Sequence, residues 1–182
     1  MLELKRFPKL NSILISLFNS PLQWVVFFIF FMFNFRKRKS FFTKEENDKI
    51  ISAIRDAEKN TSGEIRLFVE SKNAYVNPID RAAEIFFHLE MQKTQQRNGV
   101  LIYIAIKSRE LAIFADEGIH QMLGTGYWQN AVVTMINECK QNHICDGIIN
   151  SVLSIGKTLA EKFPYNGAED KNELPDEIVF GN

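Results

Sequence analysis

The sequence predicts an α/β protein: a three-layer α/β/α sandwich around a small mixed sheet, followed by C-terminal helices. Two stretches carry that reading. Asn98 to Gly118 (NGVLIYIAIKSRELAIFADEG) holds two apolar runs, Val100 to Ile106 and Leu111 to Ala115, joined by the polar Lys107-Ser108-Arg109-Glu110. A four-residue polar link between such runs argues a β-hairpin. Ahead of it, a strand-like and a helix-like stretch precede the first hairpin strand. That is a βαβ order, whose right-handed crossover makes the two strands parallel.

Each element has a local cause. Thr43-Lys44-Glu45-Glu46 reads as a capping box, and Ile50, Ile51, Ile54 and Ala57 recur at helical spacing until about Asn60. Glu64 to Glu70 alternates, with Ile65, Leu67 and Val69 on one face of a strand. Pro78 after Asn77 opens the crossover helix, because proline suits the first helical position. Its apolar side is Ala82, Ala83, Ile85, Phe86 and Leu89, fading into polar Lys93 to Arg97. The unbroken run Val100 to Ile106 predicts a strand buried on both faces. Three helices are expected next, at Glu117 to Leu123, about Thr125 to Lys140, and about Asp146 to Phe163, ended by Pro164. The acidic, turn-rich tail, residues 164–182, contains Ile178-Val179-Phe180, which can dock in extended form.

The formal net charge of zero hides two unlike parts. Residues 1–42 carry seven Lys/Arg against Glu3, so the remainder, residues 43–182, is net acidic. An acidic domain lacks the basic face that phosphate contacts need, which sets nucleic acid aside as a partner. Leu17 to Phe35 is apolar enough and long enough to cross a bilayer, for which about 17–25 residues are needed. Arg36-Lys37-Arg38-Lys39 follows at once, and no small-residue cleavage site is visible. Residues 1–42 are therefore read as an uncleaved anchor with a basic flank, placing the domain in the cytoplasm on a single-pass membrane protein. The alternative is translation from Met32, which gives a soluble cytoplasmic protein.

Cys139, His143 and Cys145 offer three zinc ligands without a paired C-x2-C knuckle, and reduced thiols are the plainer reading. His88 and His120 fall on helices as ordinary surface or core histidines.

Up-up-down strand order gathers Glu64, Asn98 and Asp116 at one rim of the sheet, with Thr61, Ser62 and Glu117 beside them. Clustered carboxylate and amide oxygens are hard ligands suited to Ca²⁺ or Mg²⁺. Glu64, Asn98, Asp116 and Glu117 are the expected metal ligands, and Asp116 is the best catalytic candidate. No P-loop, no H-E-x-x-H motif and no cysteine nucleophile with an arginine-rich loop is present. Arg66 and Arg97 are the cations nearest to hand, the latter expected in a loop.

Residues 43–163 resemble the TPM domain, a family named for a thylakoid lumen phosphatase, a photosystem II repair protein and a modulator of acetylcholine receptors. The resemblance rests on Thr61-Ser62-Gly63-Glu64-Ile65, Asn98-Gly99-Val100-Leu101-Ile102, Ile113-Phe114-Ala115-Asp116-Glu117-Gly118-Ile119 and the late Gly147-Ile148 helix. The tail Asn172-Glu173-Leu174-Pro175-Asp176 looks like that of small bacterial members. The resemblance implies an α/β sandwich, divalent-cation binding and, in some members, acid phosphatase activity. Carried to this chain, those properties bear on Glu64 and Asp116 first, with Asn98 as a further oxygen ligand. The family's varied roles also imply an alternative: a non-catalytic interaction module that assists assembly or repair of a membrane protein complex, with Gly124 to Trp128 as its candidate surface.

Overall fold

A computed structural model describes residues 41–75, 77–141, 143–165 and 173–181. The expected N-terminal anchor lies outside them. Among the described residues, no helix is long and apolar enough to cross a membrane.

The capping box forms as the sequence predicts. Thr43 N donates to Glu46 Oε2 at 2.7 Å, and Glu46 N donates to Thr43 Oγ1 at 3.2 Å. Such a cap is worth about 1 kcal/mol. It starts α1 (Lys44–Glu58), which buries Ile50, Ala53, Ile54 and Ala57. Strand β1 (Glu64–Glu70) follows, then α2 (Pro78–His88), whose first turn is capped by Asn77 through the Ile79 amide. Strands β2 (Gly99–Ala105) and β3 (Glu110–Ala115) form the hairpin. Helix α3 (Glu117–Gln141) is broken at Gly124, whose φ of 73° and ψ of 166° are not helical, so two helical pieces meet where the sequence places a boundary. Helix α4 (Ile144–Lys162) precedes the tail, from which β4 (Val179–Phe180) forms.

The sheet order is β3-β2-β1-β4. β1 runs parallel to β2 with Glu64 opposite Gly99, and β3 runs antiparallel to β2 with Ala115 opposite Val100. β4 pairs parallel with β1 at Phe68 and Val69, so the extended tail becomes a strand. Alternation along the strands builds two cores. Ile65, Leu67, Val69, Val100, Ile102 and Ile104 pack under α1, α3 and α4. Phe68, Leu101, Tyr103 and Ala105 pack under α2. These are the three layers.

β2 is buried throughout, as its unbroken apolar run requires. β1 is also buried at every position, including Glu64, Arg66 and Glu70, because α2 and the tail cover the face that carries its charges.

Candidate functional site

Glu64, Asn98 and Asp116 do come to one rim. Glu64 lies opposite Gly99, and the Asp116 amide donates to the Gly99 carbonyl at 2.9 Å. All three side chains are buried. They share the rim but not one partner set. Register puts Glu64 and Gly99 on the α2 face, so Asn98, one position earlier, starts toward the opposite face.

Asp116 is committed to Arg97. Arg97 Nε reaches Oδ2 and an Nη reaches Oδ1, both at 2.8 Å, in the two-pronged geometry that suits guanidinium and carboxylate. Asp116 Oδ1 also accepts from the Glu117 amide at 2.8 Å, which anchors the start of α3. Arg97 adopts a left-handed φ of 52°, and its carbonyl accepts from the Ile119 amide. The loop is thus folded onto the helix start. Gly118 permits this contact, because a Cβ there would stand 2.6 Å from the Gln96 carbonyl oxygen and 2.8 Å from that of Arg97. The expected loop arginine is the direct partner of the expected catalytic aspartate. Glu117 is exposed, and its carboxylate accepts from Gln121 one turn on.

Asn98 Nδ2 donates to the Ser62 carbonyl at 3.0 Å and to its hydroxyl at 3.2 Å, tying the loop before β1 to the start of β2. Glu64 Oε1 accepts from the Glu173 amide at 2.9 Å, so the tail is fastened across the rim. Two oxygens there, Glu64 Oε2 and Asn98 Oδ1, are buried without a hydrogen-bond partner among the described residues. Burial pushes the Glu64 carboxyl up to about 7, against the pull of the Glu173 and Leu174 amides. Glu58, whose carboxylate accepts from the Ile65 amide at 2.7 Å, is pushed up to about 8 for the same reason, helped by the negative charge of Glu64.

As arranged, the rim offers a hard cation two unpartnered oxygens but no cage. Asp116 is neutralised by Arg97, and among the described residues no three His, Cys, Asp or Glu side chains converge on one point. Cys139 and Cys145 are free thiols, and His143 stands at the N-cap of α4.

At the opposite end of β1 lies a network that the sequence reading missed. Glu70 accepts from Arg81 Nε at 3.1 Å, from an Arg81 Nη at 2.9 Å, and from the Tyr103 hydroxyl at 2.6 Å. Arg81 also reaches Glu84 and lies over the rings of Phe68 and Tyr75. The available signal was an acid closing a strand with an arginine one turn inside the crossover helix.

A family model for the TPM domain matches residues 36–158. The chain belongs to the TPM-domain family. The BA42 protein of the psychrophilic bacterium Bizionia argentinensis, solved by NMR, is 38% identical. It matches with a TM-score of 0.72 over 79% of this chain and 97% of that one. The N-terminal domain of cg2496 from Corynebacterium glutamicum (14% identity, TM-score 0.53, 66% of this chain and 76% of that one) shares the fold. So does an N-terminal domain from P. gingivalis (12%, 0.57, 67% and 78%). No curated protein matches the chain. In this TPM domain, the motif around Asp116-Glu117-Gly118 and the one around Asn98-Gly99 meet at the rim described above.

Proposed function

We propose that this TPM-domain chain is a membrane-tethered, non-catalytic interaction module, binding an extended apolar segment of a membrane protein complex along strand β3. The observation that carries this reading is the open edge of the sheet. The tail caps the β1 edge, whereas β3 has no strand partner beyond β2 among the described residues. Because the Asp116 backbone faces β2, alternation turns the N–H and C=O groups of Leu111, Ile113 and Ala115 toward the open side. A groove of about 510 Å³ follows that edge, with Ile79 of α2 on one side and Trp128, Val132 and Val133 of α3 on the other. Ile79, Phe87, Met122 and Val133 nearby are exposed. An unpaired strand edge between apolar walls suits strand addition, in which backbone bonds supply affinity and alternate side chains supply choice. Trp128 is a buried wall of the groove, its ring edge-on to that of Tyr127 and part of the core. Tethering rests on the apolar window and basic flank of residues 1–42.

In the isolated chain the amides of the half-buried Leu111 and Ala115 are expected to exchange faster than the β3 amides bonded to β2. A partner cross-linked in the cell's own membranes, purified and added back, is expected to slow that exchange at least tenfold. Val133→Lys, at an exposed position, is expected to remove the protection. Turnover of p-nitrophenyl phosphate that Asp116→Asn abolishes would replace this reading with the acid phosphatase one.

A divalent cation at the rim is the second reading, supported by the orphaned Glu64 Oε2, with Asn98 Oδ1 as a further unpartnered oxygen that starts from the other face of the sheet. Millimolar Ca²⁺ or Mg²⁺ is expected to shift the NMR resonances of Glu64, Asn98 and their neighbours saturably, and Glu64→Gln to weaken that response. Spectra unchanged at the rim would end it.

A further inference from the structure

We propose a second binding site on this domain: a pocket between the β2–β3 hairpin and the end of α3 that takes a single-chain anionic amphiphile, a long-chain carboxylate. The pocket holds about 400 Å³, within the range of roughly 300–1,000 Å³ common to small-molecule sites. It lies at the carboxyl end of β2, on the sheet face away from α2, and is separate from both the rim and the β3 groove.

Its chemistry is divided. The wall is aliphatic: Ile104, Ile106, Leu111, Ile136 and Ile144, with the half-buried Cys139 thiol among them. None of those side chains carries a strong hydrogen-bonding group, so the space between them favours hydrocarbon over a polar group. Burying a methylene there is worth about 0.8 kcal/mol, which makes affinity climb with chain length.

The mouth carries two cations against one carboxylate. Arg109 and Lys140 line the pocket and are exposed, and neither forms an ion pair or side-chain hydrogen bond among the described residues. The acid that lines it, Glu110, is already engaged by Asn73 Nδ2 at 2.9 Å. Arg109 is held at the turn with a left-handed φ of 55°, its amide bonded to the Ile106 carbonyl. Two unpaired cations at the rim of an aliphatic pocket complement a carboxylate on an alkyl chain. They select against a cationic head and against a neutral apolar peptide, which would leave both cations without an anion.

Cys139 gives the test its readout. The full chain is alkylated with iodoacetamide at pH 8.5, and the modified peptide is followed by mass spectrometry, which separates Cys139 from Cys145. Dodecanoate below its micellar concentration is expected to slow Cys139 modification saturably, at least tenfold. Butyrate and dodecyltrimethylammonium are expected to do so far less. The exposed double variant Arg109→Glu/Lys140→Glu, with an unchanged circular dichroism spectrum, is expected to weaken dodecanoate protection at least tenfold. Protection that is equal for the anionic and cationic chains, protection unaffected by the double variant, or no protection at all would overturn the proposal.

Discussion

Arg81→Met is expected to destabilise the domain by about 3–5 kcal/mol, the usual cost of leaving a buried charge without its partner. The Glu70 side chain is 4% exposed, and Arg81 supplies two of the three hydrogen bonds it receives from other side chains. Methionine keeps an unbranched apolar chain of similar reach but removes the guanidinium that lies over the rings of Phe68 and Tyr75, so the loss is chiefly electrostatic. The Tyr103 hydroxyl alone cannot balance a carboxylate at that depth. Adding Glu70→Gln to Arg81→Met is expected to recover at least half of the loss, since an amide carries no charge to strand. Urea unfolding of the parent, the two single variants and the double variant gives the coupling energy directly. A coupling near zero would show that water reaches Glu70 and that the pair does not hold α2 to the sheet.

The difference between what the sequence announced and what it concealed follows from the range of the interactions. The capping box at Thr43 and Glu46, the proline start of α2 and the apolar run of β2 act within a few residues, and all three appear where their spacing places them. The meeting of Glu64, Asn98 and Asp116 was also legible, because strand direction follows from the crossover rule and the hairpin. Partnership was not. Arg97 and Asp116 are 19 residues apart, Asn73 and Glu110 37, and Glu64 and Glu173 109. No periodicity reports such pairs. Rim position alone therefore suggested a metal cage, whereas the positive φ at Arg97 folds a guanidinium into the place a cation would take. The tail shows the same limit: Ile178-Val179-Phe180 reads as extended, but only the fold shows that it caps one edge of the sheet and leaves β3 as the other.

Raising the pH from 5 to 8 is expected to lose stability through Glu64 and Glu58, and the sign follows from proton counting. Burial lifts their carboxyls from 4.5 to about 7 and about 8 in the folded chain. Between 4.5 and those values the folded state keeps protons that the unfolded state releases. Stability therefore falls as pH rises through that window and levels off above it. A carboxyl held one pH unit above its ordinary value is worth about 1.4 kcal/mol, so Glu64 alone contributes on the order of 3 kcal/mol across the window. The two groups lie close enough to feel each other's charge, so they titrate as a pair and their losses do not simply add. Other groups also titrate in this range, so the decisive quantity is the variant measured against the parent at each pH. Glu64→Gln retains an oxygen to accept from the Glu173 amide and has nothing to ionise. At pH 5, where the unfolded carboxyl is already partly ionised, it is expected to exceed the parent by no more than about 1 kcal/mol. At pH 8 it is expected to be roughly 2 kcal/mol more stable than the parent, the rest of that contribution being lost to solvent relaxation around the buried charge. A variant that tracks the parent at both pH values would mean that the rim admits water and that the tail does not seal it. In that case the orphaned oxygens of Glu64 and Asn98 would be hydrated, and the second, cationic reading of the rim would lose its support along with the pH effect.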